Sequence, residues 1–234
     1  MSESKGIKGK EAFIARVSKC LGRRALPETL SPPDISHHPG RNYLKGVGMD
    51  EIKDVFVQNA EAAGTAIYEC DPDTLAETLV RATSAYGKGP LVMEDDVFLR
   101  EHGAARALGR HFDPFHIWDP RRSREENIAH AEKSRVGVVK ARLALAESGS
   151  VLLFTGPGCG RSVSLLPRHT VTVIRKADIL PRLTQAMSFL DGQINAGLPP
   201  AVYIVSGASS TADIELVRIQ GVHGPVSVSC VIVG

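Results

Sequence analysis

Closely spaced cysteines are missing from this sequence. Its four cysteines, Cys20, Cys70, Cys159 and Cys230, are spread over 234 residues, and no two form a C-x-x-C pair. A zinc site or an iron–sulfur cluster needs several thiolate or imidazole ligands at short spacing. The spacing therefore predicts that the chain has no metal site and binds no cluster of its own, and it leaves any other cofactor unknown.

Long apolar runs and long basic runs are also missing. No stretch approaches the roughly 18 apolar residues of a membrane span, and the opening residues MSESKGIKGKEAF lack the apolar core of a signal peptide. Lysine and arginine number 28 against 26 acids, a net charge of +2, without a cationic run that could follow a phosphate backbone. We expect a reduced, soluble, cytoplasmic protein that has no membrane span and binds no nucleic acid.

Proline and glycine divide the chain into an arm and one main domain. Phe13, Ile14, Val17 and Leu21 recur at helical spacing, and a stretch rich in proline and glycine then interrupts every period up to residue 49. A hydrophobic content of 43% is enough for a substantial core. We expect an N-terminal helix and Pro/Gly-rich arm over 1–49 and an α/β domain over 50–234.

Strand-like and helix-like segments alternate through the first half of that domain. The strands are TAIYEC, PLVMED and FHIWD, and the helices are 50–63, one opened by Asp71-Pro72, one ending near Leu108, and one at 121–134. Strands separated by helices are typical of parallel β-α units. The pattern predicts a Rossmann-like α/β fold with a mostly parallel sheet.

The second half begins with two strands that a short polar turn joins. RLALA and VLLFT flank Glu147-Ser148-Gly149-Ser150, which is too short for a crossover, so an inserted antiparallel β-hairpin is predicted. TVTVIR, a helix from about Asp178 to Leu190, AVYIVSG, a short helix after Ser210 and the strand VSVSCVIV follow. Asp178 is interpreted as the N-cap of its helix.

Glu147 is the first candidate site residue, with Ser148 and Gly149 beside it. A carboxylate at the tip of a buried hairpin lies near a sheet end, where α/β proteins place their sites. It could act as a nucleophile, as a general base, or as an acceptor for loop amides. An exposed turn carboxylate is the structural alternative.

A glycine cluster is the second candidate. Gly156, Gly158 and Gly160 follow a strand, so their amides could form an anion-binding nest to which Arg161 adds charge. The spacing departs from a dinucleotide-binding loop, because the third glycine comes one residue early and Pro167 follows soon after. A double turn of the chain is the structural alternative.

The third candidate lies after the strand AVYIV. Small and hydroxyl residues crowd that strand end, namely Ser206, Gly207, Ser209, Ser210 and Thr211, and Asp213 follows at capping-box spacing. With a helix N-terminus at Ser210 they could bind a small carboxylate or phosphate. His223, framed by glycines, could be a catalytic group or a loop brace.

Four ordered motifs resemble a known family. They are ALAESGS (144–150), GPGCGRSVSLLP (156–167), SGASSTADIE (206–215) and GVHGP (221–225), and their order and spacing are similar to the lactate-utilisation (LUD) domain family. The resemblance covers roughly 50–234. It implies a fold similar to NagB, ribose-5-phosphate isomerase (RpiA) and the CoA-transferases.

The resemblance also implies a role in oxidising L-lactate to pyruvate. In this reading the chain is an accessory or substrate-binding component, and the iron–sulfur clusters are carried by LutA-like and LutB-like partner proteins. Two other functions stay open: a free-standing CoA-transferase-like or cyclo-ligase-like enzyme that uses Glu147, and a purely structural assembly subunit. A homodimer is also open as an assembly.

The three candidate segments are finally expected to meet. The Glu147 turn, the 156–161 loop and the 206–213 loop all lie at strand ends, and ligands of open α/β sheets gather at such ends. We therefore expect all three at one edge of a single sheet.

Overall fold

A computed structural model describes residues 9–23, 42–211 and 219–234 of the chain. Residues 1–38 and 39–234 form two separate units. In the first, the helical spacing is confirmed, since helix α1 spans Lys10–Cys20. Most of the proline-rich arm and Asp213 lie outside the described residues.

The predicted alternation of strands and helices is confirmed in the first half of the second unit. Its elements are α2 (Met49–Ala62), β1 (Thr65–Cys70), α3 (Leu75–Ser84), β2 (Leu91–Met93), α4 (Val97–Glu101), α5 (Ala104–His111), β3 (Phe115–Ile117), α6 (Arg124–Lys133) and β4 (Val136–Lys140). A 3₁₀ turn at Pro72–Thr74 leads into α3. Ser123 and Glu126 form a capping box at the start of α6.

The second half has shorter elements. They are β5 (Leu143–Leu145), β6 (Ser150–Phe154), α7 (Ser162–Leu165), β7 (His169–Arg175), β8 (Ile179–Leu180), α8 (Leu183–Gln193), β9 (Val202–Val205), β10 (Ser210–Thr211), β11 (Ile219–Gln220) and β12 (Ser227–Val233). Of the helices within 9–23, 42–211 and 219–234, none is long and apolar enough to cross a membrane.

Six strands form a parallel sheet at the centre of this unit. Their order is β1-β12-β7-β4-β2-β3, and every neighbouring pair is parallel. Side chains alternate between the two faces: Leu91 and Met93 pack with α3 and α5, whereas Val92 faces the core that includes Phe56 of α2. The mostly parallel α/β sheet is thus confirmed.

The predicted hairpin is confirmed, but it lies in a second sheet. β5 and β6 are antiparallel, with Leu143 opposite Leu152, and β8 and β9 flank them in the order β8-β5-β6-β9. Val151 and Leu153 of β6 pack into the same core as Phe56. The strand predicted at AVYIVSG is β9, and it belongs to this smaller sheet.

Two predicted caps are wrong. The helix expected from Asp178 begins at Leu183, because Asp178 closes a 3₁₀ turn and forms an ion pair with Arg175, with carboxylate oxygens 2.6 and 2.8 Å from its guanidinium. Ser210 does not begin a helix, since Ser210 and Thr211 form an antiparallel ribbon with β11. At Asp178 a side-chain ion pair replaces the predicted cap and Ile179–Leu180 then pair with β5, whereas at Ser210 the backbone pairs with β11.

Candidate functional site

The turn that carries Glu147 packs on the C-terminal half of α2. Asn59 donates its side-chain amide to the Ala146 carbonyl at 2.7 Å. Gly149 has a left-handed φ of 60°, and a Cβ there would lie 2.1 Å from the Ala60 nitrogen. Because α2 ends just before β1, the turn lies toward the amino end of β1.

Both oxygens of Glu147 have partners. Oε1 accepts the Leu183 amide at 2.8 Å, and Oε2 lies 2.6 Å from Nε of Arg182. The Leu183 amide belongs to the first turn of α8, whose amide groups have no partner within the helix. Glu147 thus caps α8 from a distant turn, which is one of the roles expected for it.

Ser148 and Ser206 are brought together through a third hydroxyl. Ser150 Oγ lies 2.8 Å from Ser148 Oγ and 2.6 Å from Ser206 Oγ. Gly207, at a left-handed φ of 66°, lies where a Cβ would be 2.2 Å from the Ala63 carbonyl oxygen at the end of α2. The hairpin turn and the start of the 206–211 loop therefore share one end of the second sheet.

The 209–211 segment lies against the loop of His223. Ser209 donates its amide to the Pro225 carbonyl, and its carbonyl accepts the Gly221 amide, both at 2.9 Å. His223 itself is exposed. Since Ser210 and Thr211 form strand β10 here, the helix N-terminus that was to bind an anion is not at Ser210. Residues 212–218, which were to continue that helix, lie outside the described residues, so an anion site at Ser209, Ser210 and Thr211 stays a prediction.

Residues 156–161, called the glycine loop below, use their glycines to pack closely against neighbouring segments. Gly156 and Cys159 close a tight turn through reciprocal backbone hydrogen bonds of 3.0 and 3.1 Å. Gly156, Gly158 and Gly160 are not among the residues with positive φ, so they lack the alternation of an anion-binding nest. If Gly158 had a Cβ, that atom would lie 2.4 Å from the carbonyl oxygen of Asp95. A Cβ on Gly160 would lie 2.2 Å from the ring of Trp118.

The expectation that the three segments meet at one edge is wrong. Strand β6 begins at the Glu147 turn and ends at the glycine loop, roughly 13 Å away at about 3.3 Å per residue. The end of antiparallel β9 lies beside the start of β6, with Val205 opposite Val151. The 206–211 loop consequently joins the Glu147 turn, whereas the glycine loop and the exposed Arg161 lie at the other end.

The glycine loop lies at the carboxyl edge of the parallel sheet, over its topological switch point. From β2 the chain continues outward to β3, and from the adjacent β4 it leads in the opposite direction to β7. The Gly158 carbonyl accepts the Asp95 amide at 2.8 Å, just after β2. Open α/β sheets bind ligands in the crevice outside such a point.

Glu94 occupies this switch point. Its side chain follows β2 and is 6% exposed, and it accepts a hydrogen bond from the Lys140 amide at the end of β4. Burial raises the pKa of Glu94 to about 7, against the hydrogen bonds from Cys159 and Lys140 that lower it. A carboxyl group with this pKa can gain or lose a proton near neutral pH.

The Cys159 thiol of the glycine loop is near enough to the Glu94 carboxyl group for each to affect the pKa of the other. Burial and the neighbouring charge of Glu94 raise the pKa of the Cys159 thiol. The thiol is therefore protonated at neutral pH, and only the thiolate is a nucleophile or metal ligand. In the described part of the chain, no three His, Cys, Asp or Glu side chains are gathered where they could hold a metal ion.

A cleft of about 540 Å³ opens beside Asp95. Aromatic and apolar side chains and three arginines line it, together with two aspartates and a proline: Asp95, Arg100, Phe115, Ile117, Trp118, Asp119, Pro120, Arg121 and Arg122. Trp118 is fixed by a hydrogen bond from its indole nitrogen to the Pro157 carbonyl at 3.1 Å. The glycine loop thus holds one wall of the cleft, the ring of Trp118, in place.

The charges in the cleft leave one arginine for a ligand. Arg100 pairs with Asp95, and Arg121 binds both carboxylate oxygens of Asp119 at 2.9 and 3.0 Å, which lowers the pKa of Asp119 to about 2. Arg122 contacts a ring nitrogen of His130 at 3.0 Å, and no carboxylate within the described residues pairs with it. A small anion would find its counter-charge at Arg122.

Glu94 and the residues that line the cleft are not among the site residues predicted from the sequence. Glu94 is the first acid of the apolar segment PLVMED, and Trp118-Asp119 ends FHIWD. Polar residues directly after buried parallel strands are the signal that could have identified them, because the carboxyl ends of such strands share one edge.

The central sheet, with helices on both faces and a cleft at its carboxyl edge, defines a doubly wound α/β protein. Its family follows from the sequence. The LUD domain model matches residues 53–233, so the chain belongs to the LUD domain family. The family resemblance of the four motifs is confirmed.

Similar proteins cover the whole chain. Lactate utilization protein C of Geobacillus sp. (strain WCH70) is 34% identical over 100% of this chain and 99% of its own length. Lactate utilization protein C of Bacillus subtilis (strain 168) is 33% identical over 97% of both. A crystal structure of a DUF162 family protein from Deinococcus radiodurans has a TM-score of 0.54 at 17% identity, covering 80% of this chain and 99% of that one, and shows a shared fold.

Proposed function

We propose that this chain takes part in L-lactate utilisation, as an accessory or substrate-binding component of an iron–sulfur system that oxidises lactate to pyruvate. The full-length similarity to two proteins named lactate utilization protein C supports the pathway. The cleft with Arg122 supports a binding role, since lactate and pyruvate are small carboxylates.

Electron transfer is assigned to LutA-like and LutB-like partners that would carry the clusters. The four cysteines of this chain are free thiols, of which Cys159 and Cys230 are buried and Cys20 is exposed. Burial raises the pKa of Cys230 to about 12, so its thiol is not a ready metal ligand. This chain would bind or present the substrate in the cytoplasm.

Isothermal titration with lactate, pyruvate and phosphate tests the binding role. Arg122→Gln should weaken carboxylate binding by about tenfold or more, because a charged hydrogen bond contributes about 1.5–3 kcal/mol. Arg106→Gln removes an exposed arginine that does not line the cleft and is the matched control. Equal affinity of the Arg122 variant and the wild type would remove the cleft from the proposal.

Growth tests the pathway separately. Deleting the gene should abolish growth on L-lactate while growth on pyruvate continues, and the wild-type gene should restore it. Unchanged growth on L-lactate in a strain whose iron–sulfur partner genes remain essential would show that the role is wrong.

Glu147 is a weaker basis for a function. A nucleophilic carboxylate of the CoA-transferase or cyclo-ligase type needs an oxygen free to attack, whereas both oxygens of Glu147 are engaged by Arg182 and Leu183. A covalent adduct after incubation with acyl-CoA, absent in Glu147→Gln, would restore that alternative. The NagB-like fold type and the structural-subunit role stay predictions.

A further inference from the structure

Helix α1 carries an apolar stripe that is open to solvent. Phe13, Val17 and Leu21 recur every four residues and therefore share one side of the helix. Their exposures are 69%, 40% and 62%, and none of the residues Lys10–Cys20 is buried. An isolated helix of this length is marginal in water, so burying this stripe against a partner would stabilise it.

Cations line the neighbouring side of α1. Arg16 and Lys19 lie one turn apart on the same side of the helix, Arg23 follows shortly after its end, and all three are exposed. The apolar and cationic lines lie side by side because Arg16 directly precedes Val17. The helix is thus basic and amphipathic.

The positive charge of the chain is concentrated in this region. Residues 1–24 contain seven lysines and arginines against two acids, a net charge of +5. Since the whole chain has a net charge of +2, residues 25–234 carry a net charge of −3. Such an asymmetry favours an anionic partner for the N-terminal region specifically.

The apolar stripe decides which anionic partner fits. A nucleic-acid backbone would pair with the cations and leave Phe13, Val17 and Leu21 in water. The boundary between headgroups and acyl chains of an anionic bilayer accepts both: the apolar line lies among the chains, and the cations remain at the headgroups. The bare stripe and the adjacent cations therefore match a lipid surface.

We propose that α1 binds the surface of a membrane containing anionic phospholipid and holds the chain there without crossing the bilayer. The proposal rests on α1 alone and is independent of the role in lactate utilisation. One short helix with a few apolar side chains gives weak, reversible attachment, which strengthens as the anionic lipid content rises.

Co-sedimentation of the full chain with vesicles tests this proposal. The protein should pellet with vesicles of phosphatidylcholine mixed with phosphatidylglycerol and stay in the supernatant with phosphatidylcholine alone. Raising the salt concentration should release it, because the attraction to the lipid charge is screened. Absence of binding to the mixed vesicles at low salt would overturn the proposal.

Matched variants separate the two parts of the surface. Arg16→Gln with Lys19→Gln should weaken partitioning roughly tenfold or more, whereas Arg106→Gln with Arg110→Gln, the same loss of charge elsewhere on the surface, should have little effect. Equal losses for the two pairs would show general electrostatic adsorption and overturn the assignment to α1.

The apolar stripe has its own pair of variants. Phe13→Gln should reduce binding to the mixed vesicles several-fold, and Phe13→Trp should restore it and shift its fluorescence to the blue on binding, provided the side chain enters the lipid. Val97→Gln, at an exposed apolar residue of α4, is the control. Full binding of Phe13→Gln would point to a protein groove as the target of the stripe and would contradict the lipid assignment.

Discussion

Replacing Glu94 by glutamine should stabilise the protein at pH 8 and leave its stability nearly unchanged at pH 4. The Glu94 carboxyl group is 6% exposed, and burial raises its pKa from 4.5 to about 7. In the unfolded chain the same group ionises at its ordinary pKa. Folding above pH 7 therefore requires a buried carboxylate that the unfolded chain keeps in water.

The sign and size of the effect follow from proton linkage. Between about pH 4.5 and 7 the folded state binds a proton that the unfolded state has lost, so stability falls as pH rises through this window. A difference of about 2.5 pKa units corresponds to about 3 kcal/mol above pH 7. Glutamine is neutral at every pH and keeps an oxygen for the Lys140 amide, so it avoids this loss.

Urea unfolding of the wild type and of Glu94→Gln at several pH values measures the effect. The free energy of unfolding of Glu94→Gln should exceed that of the wild type by an amount that grows between pH 4.5 and 7 and reaches about 3 kcal/mol at pH 8. This corresponds to a Tm of the variant that is roughly 6–12 °C higher. Glu101→Gln, at an exposed glutamate, should show no such gap. Parallel pH profiles for the wild type and Glu94→Gln would refute the reasoning.

Four further changes test the packing of the second sheet and of α8. Gly149→Ala should lower the free energy of unfolding by about 2–4 kcal/mol in urea titrations, because its Cβ would overlap the backbone of α2 at a left-handed φ. Gly192→Ala, in open space on α8, should instead add about 0.5–1 kcal/mol. Glu147→Gln should cost less than about 1 kcal/mol in thermal unfolding and leave growth on L-lactate intact, since the cap of α8 persists and only a partly exposed ion pair is lost. Ser150→Ala should lower the free energy of unfolding by about 1 kcal/mol, because it removes the hydroxyl that links Ser148 and Ser206. An unchanged Tm would show that water fully replaces this hydroxyl.

Local patterns were sufficient to predict the elements and the family. The alternation of TAIYEC, PLVMED and FHIWD with amphipathic helices predicted parallel strands, and the turn after RLALA predicted a hairpin. These signals are readable because the side-chain period of a strand or helix is set by its own backbone geometry. The four motifs likewise indicated the LUD domain family, and the match of the LUD domain model to residues 53–233 confirmed that membership.

The candidate site was less predictable. The sequence marked Glu147 as a possible nucleophile, and the structure shows it as the cap of α8, because its partner Leu183 is 36 residues away. Glu94 was not predicted as a site residue from the sequence, and its hydrogen-bond partner, the Lys140 amide, is 46 residues away. Local spacing holds no information about which distant amide a carboxylate will meet.

By itself the sequence determined that the chain forms an α/β unit with parallel strands, a hairpin and an N-terminal helix. Only the tertiary structure decided which strand ends lie together. Because β6 and β9 are antiparallel, the Glu147 turn before β6 and the 206–211 loop after β9 lie together, away from the carboxyl edge of the parallel sheet. The glycine loop follows the other end of β6 and lies at that carboxyl edge. The physical reason is that strand direction in a sheet is fixed by pairing between distant segments, so the position of a site depends on contacts that no single segment encodes.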